Sequence, residues 1–353
     1  MNLKDLRIGY VPYLPDLSQP GDRRRFPLFA KRNGLGFEVA NENKEYDIIL
    51  LTAPGNLSKW LAYKKDHPKT VFLFEMVDSL ILDSDLFNTL FKGIGRLILK
   101  KEDRLYVNYK KLLIKWLRIA DVVICSNDKL REAIEKHNKN VFVSLDYMRN
   151  EVKVKKSEFK IENKLQLVWE GQGNVIVHFL AFKKVLSALH EFCELHIITD
   201  QTFSTDGEVT RKDTRKFISD LPIQTYFHKW EMSNKYDTLV KFDCGFIPIN
   251  PKNKFGWYKP ANKLLSFWFA GLPTFTSATP AYRKIMDEAG LKYYCENDEE
   301  WVDKLKSFFQ MTQEERRAIS DKFYNFAVQN YSSEYCDSKW KEIFNSAVKK
   351  FSW

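Results

Sequence analysis

Lys259, Asn262, Lys263 and Ser266 recur at i, i+3, i+4 and i+7, so on a helix they share one face. Pro260 suits the first turn of such a helix, where its missing N–H would have had no intrahelical partner. Leu264, Leu265, Trp268 and Phe269 cover the other sides, leaving one polar stripe on an otherwise buried helix. Two lysines beside the free N–H groups of a helix start make a site for a diphosphate. A solvated stripe on an amphipathic helix has the same pattern.

Other groups could do chemistry nearby. In VWEGQGN (168–174) an apolar run enters a glycine-containing loop. Gly171 and Gly173 would let the backbone approach a ligand, and Glu170 and Gln172 sit at the carboxyl end of a strand, where ligands bind in doubly wound sheets. An ordinary turn explains the glycines equally well, and Lys183 and Lys184 farther along fit either phosphate contacts or solvent. In YFHKWE (226–231), His228 or Trp230 could stack on a nucleobase, worth about 1–3 kcal/mol where such stacking has been measured. A core Trp beside a surface His is the alternative. Gly21, Asp22, Arg23, Arg24 and Arg25 follow the first apolar run, and forked guanidinium groups there suit a phosphate or an acceptor, or form a solvated basic turn. Glu75 and Asp78 fall near the end of another run; Asp78 is the candidate catalytic carboxylate, with an N-cap role for Asp78 or Ser79 competing. There is no Asp-x-Asp in a convincing loop position and no His/carboxylate metal spacing, so no metal and no cofactor are expected.

The elements that must hold these groups read as alternating strand and helix. Continuous β-branched and aromatic runs at 7–11, 37–40, 47–52, 71–77, 121–126 and 141–146 have the composition of strands buried on both faces, with helices at 23–33, 56–66 and 127–138. The pattern restarts with strand runs at 165–171, 194–200, 223–230, 244–249, 272–277 and 292–296. Helical segments lie at 174–190, 209–220, 231–241, 260–270 and 280–289, and apolar-periodic helices at 313–329 and 334–350 end the chain. At 353 residues the chain exceeds what one core normally supports. The expected division is a Rossmann-like domain over 1–150, a polar linker over 151–163, a second Rossmann-like domain over 164–330, and a terminal helix over 331–353 that crosses back to the first domain.

The segment Tyr258–Arg283, YKPANKLLSFWFAGLPTFTSATPAYR, resembles the donor-binding segment of retaining GT-B glycosyltransferases from bacterial surface-polysaccharide pathways. DCGFIPI just upstream resembles that family's preceding strand. The likeness is specific over roughly the last third of the chain and loose elsewhere. It implies an α/β GT-B architecture, two facing Rossmann-like domains with a C-terminal helical return. It further implies transfer of a sugar from a nucleotide-sugar donor to a glycan or lipid-linked glycan acceptor, with retention of anomeric configuration. On the donor side it points to Tyr258, Lys259, Asn262, Lys263, Ser266, Glu170, Gly171, Gly173, His228 and Trp230. On the phosphate and acceptor side it points to Gly21, Asp22, Arg23 and Arg24. The family's paired glutamates fall at Tyr258 and Ser266, neither of them acidic, which leaves open an altered donor or a non-catalytic nucleotide-sugar or glycan-binding relative; a GT-B nucleotide-sugar epimerase is a separate alternative.

The net charge of +10 favours anionic partners, and it is unevenly spread. Residues 86–119 carry basic residues at Lys92, Arg96, Lys100, Lys101, Arg104, Lys110, Lys111, Lys115 and Arg118 beside an apolar helical face (Phe87, Leu90, Phe91, Ile94, Leu97, Ile98). Such a segment fits an anionic membrane surface, or a helix packed on a sheet with its lysines in water. No nucleic-acid motif accompanies the charge. The five cysteines form no CxxC pair, the N-terminus lacks a cleavable signal pattern, and no apolar run is long enough to span a bilayer. The expected location is therefore the cytoplasm, and, where the basic segment meets a bilayer, the inner face of the plasma membrane.

Overall fold

Residues 3–82, 109–204 and 210–351 are described in the computed structural model. The chain divides into two compact units, one formed by Met1–Tyr147, Tyr258–Pro260 and Ser333–Trp353, the other by Met148–Trp257 and Ala261–Ser332. Residues 86–108 of the basic segment lie outside the described residues.

In the first unit, β1 (Ile8–Val11), β2 (Glu38–Val39), β3 (Ile48–Thr52), β4 (Val71–Met76), β5 (Val122–Cys125) and β6 (Val141–Val143) form a parallel sheet in the order β2-β1-β3-β4-β5-β6. Successive strand residues point to opposite faces, and here both faces are apolar. Val11, Ile49, Leu51, Phe72, Phe74 and Val123 face one core, which the helices Leu57–Asp66 and Tyr109–Ile119 cover. In the second of these, Tyr109, Leu112, Leu113, Trp116 and Leu117 are buried, with Lys111, Lys115 and Arg118 exposed, so the described end of the basic segment spends its apolar face on the sheet. Ile8, Tyr10, Ile48, Leu50, Leu73 and Ile124 face the other core. The helices Phe26–Asn33 and Ser333–Val348 close that side, with Phe29 stacked on Trp340 (5.8 Å) and Phe344 (5.7 Å).

The segment expected as one helix from residue 23 is two. Pro20–Arg24 and Phe26–Asn33 are separated at Arg25 (φ −127°, ψ −127°), and the second ends on Gly34 in the left-handed region (φ 63°). The break turns the Arg25 side chain inward.

In the second unit, β7 (Leu165–Glu170), β8 (Cys193–Thr199), β11 (Thr225–Lys229), β12 (Cys244–Ile247), β13 (Thr274–Ser277) and β14 (Tyr294–Cys295) are parallel in the order β11-β8-β7-β12-β13-β14. Counted within this unit, that is the doubly wound order 3-2-1-4-5-6. A small antiparallel pair, β9 (Thr202–Phe203) and β10 (Lys212–Asp213), stands apart. Gly245 in β12 lets the sheet meet the Asn262–Phe269 helix: a Cβ there would lie 2.4 Å from the Phe267 ring. The 174–190 helix divides into a 3-10 stretch, Gly173–Phe182, and an α-helix, Lys183–Leu189.

Residues 152–163 turn three side chains into this unit, while most of the others in the segment stay exposed. Val152 and Phe159 are buried, and the Lys156 ammonium, also buried, donates to the carbonyl of Phe242 (2.7 Å) while its N–H donates to that of Ala270 (2.8 Å). The division falls at Tyr147/Met148, ahead of the expected linker.

Candidate functional site

In the second sheet the chain runs from β7 to β8 and β11 in one direction and from β12 to β13 and β14 in the other, so the order reverses between β7 and β12. At the carboxyl ends of such a pair the loops part, and a ligand can enter. β7 delivers Glu170, Gly171 and Gly173 to this point. The glycine loop is clasped by the end of β8: the Gly171 N–H donates to Ile198 O (3.1 Å), the Thr199 hydroxyl donates to Gly171 O (2.7 Å), and the Gly173 N–H donates to the Asp200 carboxylate (2.8 Å). A Cβ on Gly171 would lie 2.7 Å from the Trp169 ring and 2.9 Å from Lys263 Nζ. Only glycine leaves that space. The Lys263 ammonium stands 4.6 Å from the centroid of Trp169, so lysine, indole and glycine loop are one assembly.

Lys263 and Asn262 open the Asn262–Phe269 helix. It starts two residues after Pro260, so Lys259 and Tyr258 precede it; both fall in the first unit, where Tyr258 O accepts from the Asn127 amide (2.9 Å). Ser266 is buried and donates to Lys263 O (2.8 Å), which ties the first helical turn to the residue that carries the ammonium. Asn262 Oδ1 is buried without a partner among the described residues.

Trp230, just past β11, is fixed from two sides. Its N–H donates to Thr199 O (2.9 Å) and its indole N–H to Glu170 Oε1 (2.8 Å). Lys235, buried, lies 3.9 Å from Glu170 and 3.9 Å from Glu151, with its ammonium against the rings of Trp230 and Tyr236. An indole so held is a rigid platform with little rotamer freedom left to lose on binding. His228 is turned elsewhere: its Nε2 is 3.0 Å from Nδ1 of His196 and its ring lies against Phe242, while His196 stacks on Tyr226.

That imidazole pair gives a pH prediction. Burial first, then the neighbouring His228, holds His196 down to about 4, and burial lowers His228 as well. The unfolded chain therefore takes up these protons first as pH falls. For His196 alone, stability present at pH 7 should drop by roughly 2 kcal/mol at pH 5 and level off below about pH 4. Urea midpoints across that window should show the drop, and His196→Gln should flatten it. A slope unchanged in that variant would mean that other groups carry it.

In the first unit, Asp22 is buried, and Gly21, Arg23 and Arg24 are half-buried, with Arg23 Nε donating to Ser18 O (3.1 Å). Asp78 is exposed just beyond β4, whereas Glu75 within β4 is buried against Arg25 (2.7 Å). Among the described residues no group of three or more His, Cys, Asp or Glu side chains is gathered for a metal ion, and no helix is long and apolar enough to cross a membrane. All five cysteines are free and buried.

Several residues of the site had no sequence signal of their own. Thr199 and Asp200 matter because β8 lies beside β7; Lys235 because the fold sets it between two carboxylates. His178, buried, accepts the N–H of Asn250 (3.2 Å) just past β12, and a Cβ on Gly256 would lie 3.1 Å from its ring. A histidine inside the apolar run GNVIVHFLAF was the available hint.

No protein-family model matches the sequence, and no curated protein matches it. Solved structures do. HepE of Anabaena in complex with UDP-glucose is 11% identical with a TM-score of 0.61, covering 97% of this chain and 100% of that one. A Thermobaculum terrenum O-GlcNAc transferase variant is 11% identical with a TM-score of 0.60, covering 99% of this chain and 68% of that one. A variant of S. aureus TarM in complex with fondaparinux, alpha-GlcNAc-glycerol and UDP is 12% identical with a TM-score of 0.58. That match covers 84% of this chain, which spans 55% of the TarM chain. The α/β fold is that of the GT-B class.

Proposed function

We propose that this chain is a glycosyltransferase that moves a sugar from a nucleotide-sugar to a glycan or lipid-linked glycan acceptor, in surface-polysaccharide synthesis of the bacterial type. The observation that carries the reading is the meeting of Lys263, Trp169 and Gly171 at the β7/β12 switch point. In this reading Lys263 neutralises the leaving diphosphate, with no metal asked to do so. Gly171 and Gly173 keep the backbone low enough for the phosphates to approach. Trp230 gives a nucleobase a flat face, and Asp78 orients or deprotonates the acceptor hydroxyl. A retaining course rests on the resemblance of residues 258–283 alone. HepE was solved with UDP-glucose and TarM with UDP, which makes uridine nucleotides the first donors to try.

The test is turnover. Incubation with UDP-, GDP-, ADP-, CDP- and dTDP-sugars and a broad acceptor panel should give a glycosylated product with one nucleotide. Donor binding without any transfer or hydrolysis would favour the non-catalytic relative, and an altered sugar without an acceptor product would favour the epimerase. An anionic membrane, met through residues 86–119, is the proposed place of a lipid-linked acceptor. Salt-sensitive sedimentation with anionic vesicles should accompany it, and wild-type protein left in the supernatant at low salt would point to a soluble acceptor.

A further inference from the structure

The first sheet has a switch point of its own. From β1 the chain goes to β2 on one side, while β3, β4, β5 and β6 follow on the other, so the order reverses between β1 and β3. The loop after β1, residues 12–22, leaves from the carboxyl side of that point, where a doubly wound sheet takes its ligands.

This loop is clamped from beneath by buried charge. Arg25, in the break between two helices, donates from Nε to Glu75 Oε1 (2.7 Å) and from Nη1 to Asp146 Oδ1 (2.9 Å) and Ser144 O (2.9 Å). The guanidinium thereby ties the end of β4 to the chain beyond β6. Glu75 has its second oxygen occupied by the Tyr13 hydroxyl (3.0 Å). The N–H of the same tyrosine donates to Asp22 Oδ1 (2.9 Å), that of Leu14 to Asp22 Oδ2 (3.2 Å), and the Tyr10 hydroxyl completes Asp22 (2.8 Å). Tyr13 is thus gripped at both ends, by Glu75 at its hydroxyl and by Asp22 at its backbone.

Three further observations show that the loop is held in a chosen shape and not merely packed. Gly21 gives way to the Tyr13 ring, since a Cβ there would lie 2.6 Å from it. Leu17 has a left-handed backbone (φ 58°), a conformation that persists only where the surroundings enforce it. Arg25 Nη2 is buried with no partner among the described residues, as are the hydroxyls of Thr52, which stands in register with Glu75, and of Ser144. The cluster carries more buried polarity than packing alone would need. Burial, then the charge on Glu75, pushes the Tyr13 hydroxyl well above its ordinary range, so it remains a donor to Glu75. Burial would lower Arg25, but Glu75 and Asp146 more than offset it, and the guanidinium keeps its charge.

We infer that Arg25 is a positioning residue, which through Glu75 and Tyr13 holds the 12–22 loop in the shape that meets the acceptor. The clamp stands on the contacts above; its link to an acceptor rests on the proposed function. Tyr13→Phe tests it with little risk to folding, because the ring and its fit against Gly21 remain. Amide hydrogen exchange at positions 13 and 14 should quicken about fivefold, as loss of one ordinary hydrogen bond implies, while exchange in β1, β3 and β4 stays as in the wild type. Glu75→Gln, which keeps an oxygen for Tyr13 but weakens the hold of Arg25, should quicken the same amides. In transfer assays, Tyr13→Phe should raise the acceptor KM about fivefold and leave the donor KM unchanged, a split that a general loss of stability would not produce. Loop exchange equal to wild type in both variants overturns the clamp. Faster exchange with an unmoved acceptor KM overturns its service to the acceptor. If the wild-type protein binds no nucleotide-sugar and transfers nothing, the proposed function falls, and the exchange rates still decide the clamp.

Discussion

Arg25→Met should lower the stability of the protein by about 3–5 kcal/mol, the cost of leaving a buried charge without its partner. The side chains of Arg25, Glu75 and Asp146 are 1%, 0% and 7% exposed, so neither carboxylate that loses the guanidinium has water at hand to replace it. The contrast with Arg32 makes the prediction sharp. Arg32 forms ion pairs of similar length with Asp337 (2.9 Å) and Glu334 (3.1 Å), but its side chain is 28% exposed and that of Glu334 79%, so water can replace part of what is lost. Arg32→Met should therefore shift a urea midpoint clearly less than Arg25→Met. Arg25→Met/Glu75→Met should recover part of the loss, since Glu75 is no longer left as an unpaired buried charge, but not all of it, since Asp146 still lacks the guanidinium. Equal midpoints for the two single variants would show that the buried network is not what holds this end of the sheet.

Lys263→Ala should weaken binding of a nucleoside diphosphate about 10- to 100-fold, the range expected for one charge-assisted contact to phosphate. The Lys263 ammonium stands over the Trp169 ring, so that contact is lost as well, but the helix that carries the lysine stays anchored by Leu264, Leu265, Trp268 and Phe269. Gly171→Ala reaches the same site without touching the charge. Its methyl would press on the Trp169 ring and the Lys263 ammonium, and binding should fall while the net charge is unchanged. A lysine acting only as solvated surface would leave affinity as it was in both variants.

Legibility in the sequence followed burial. Strands such as 47–52 and 71–77 announced themselves because both faces of a parallel sheet must be apolar, and they appear as Ile48–Thr52 and Val71–Met76. The helix Asp298–Gln310 went unread although its signals are present: Asn297 caps it, acids fill its first turn, and Trp301, Leu305 and Phe308 repeat on one face. Residues 151–163 read as a linker because a lysine-rich stretch looks solvated. The fold buries Lys156 instead, by giving its ammonium a backbone carbonyl that lies far away in sequence. The candidate site divides in the same way. Gly171, Lys263 and Trp230 could be named from local pattern, and the structure groups them in one unit. Which carboxylate would steady Trp230, or which strand would clasp the glycine loop, depends on β8 and β11 lying beside β7, and no local window carries that. The run of basic residues at 23–25 shows the limit most plainly: three arginines look alike in the sequence, yet only Arg25 is turned into the core, because the helix breaks at its own backbone.

In the proposed function the carboxyl edge at β7 and β12 binds a nucleotide-sugar through Lys263. Calorimetric titration of the wild-type protein and of Lys263→Ala with UDP-, GDP-, ADP-, CDP- and dTDP-sugars tests it most directly. The wild type should bind one nucleotide-sugar saturably, and Lys263→Ala at least tenfold more weakly, with the thermal midpoint of the free protein little changed. Binding of equal strength in the two proteins, or no binding of any of these donors to the wild type, would contradict it.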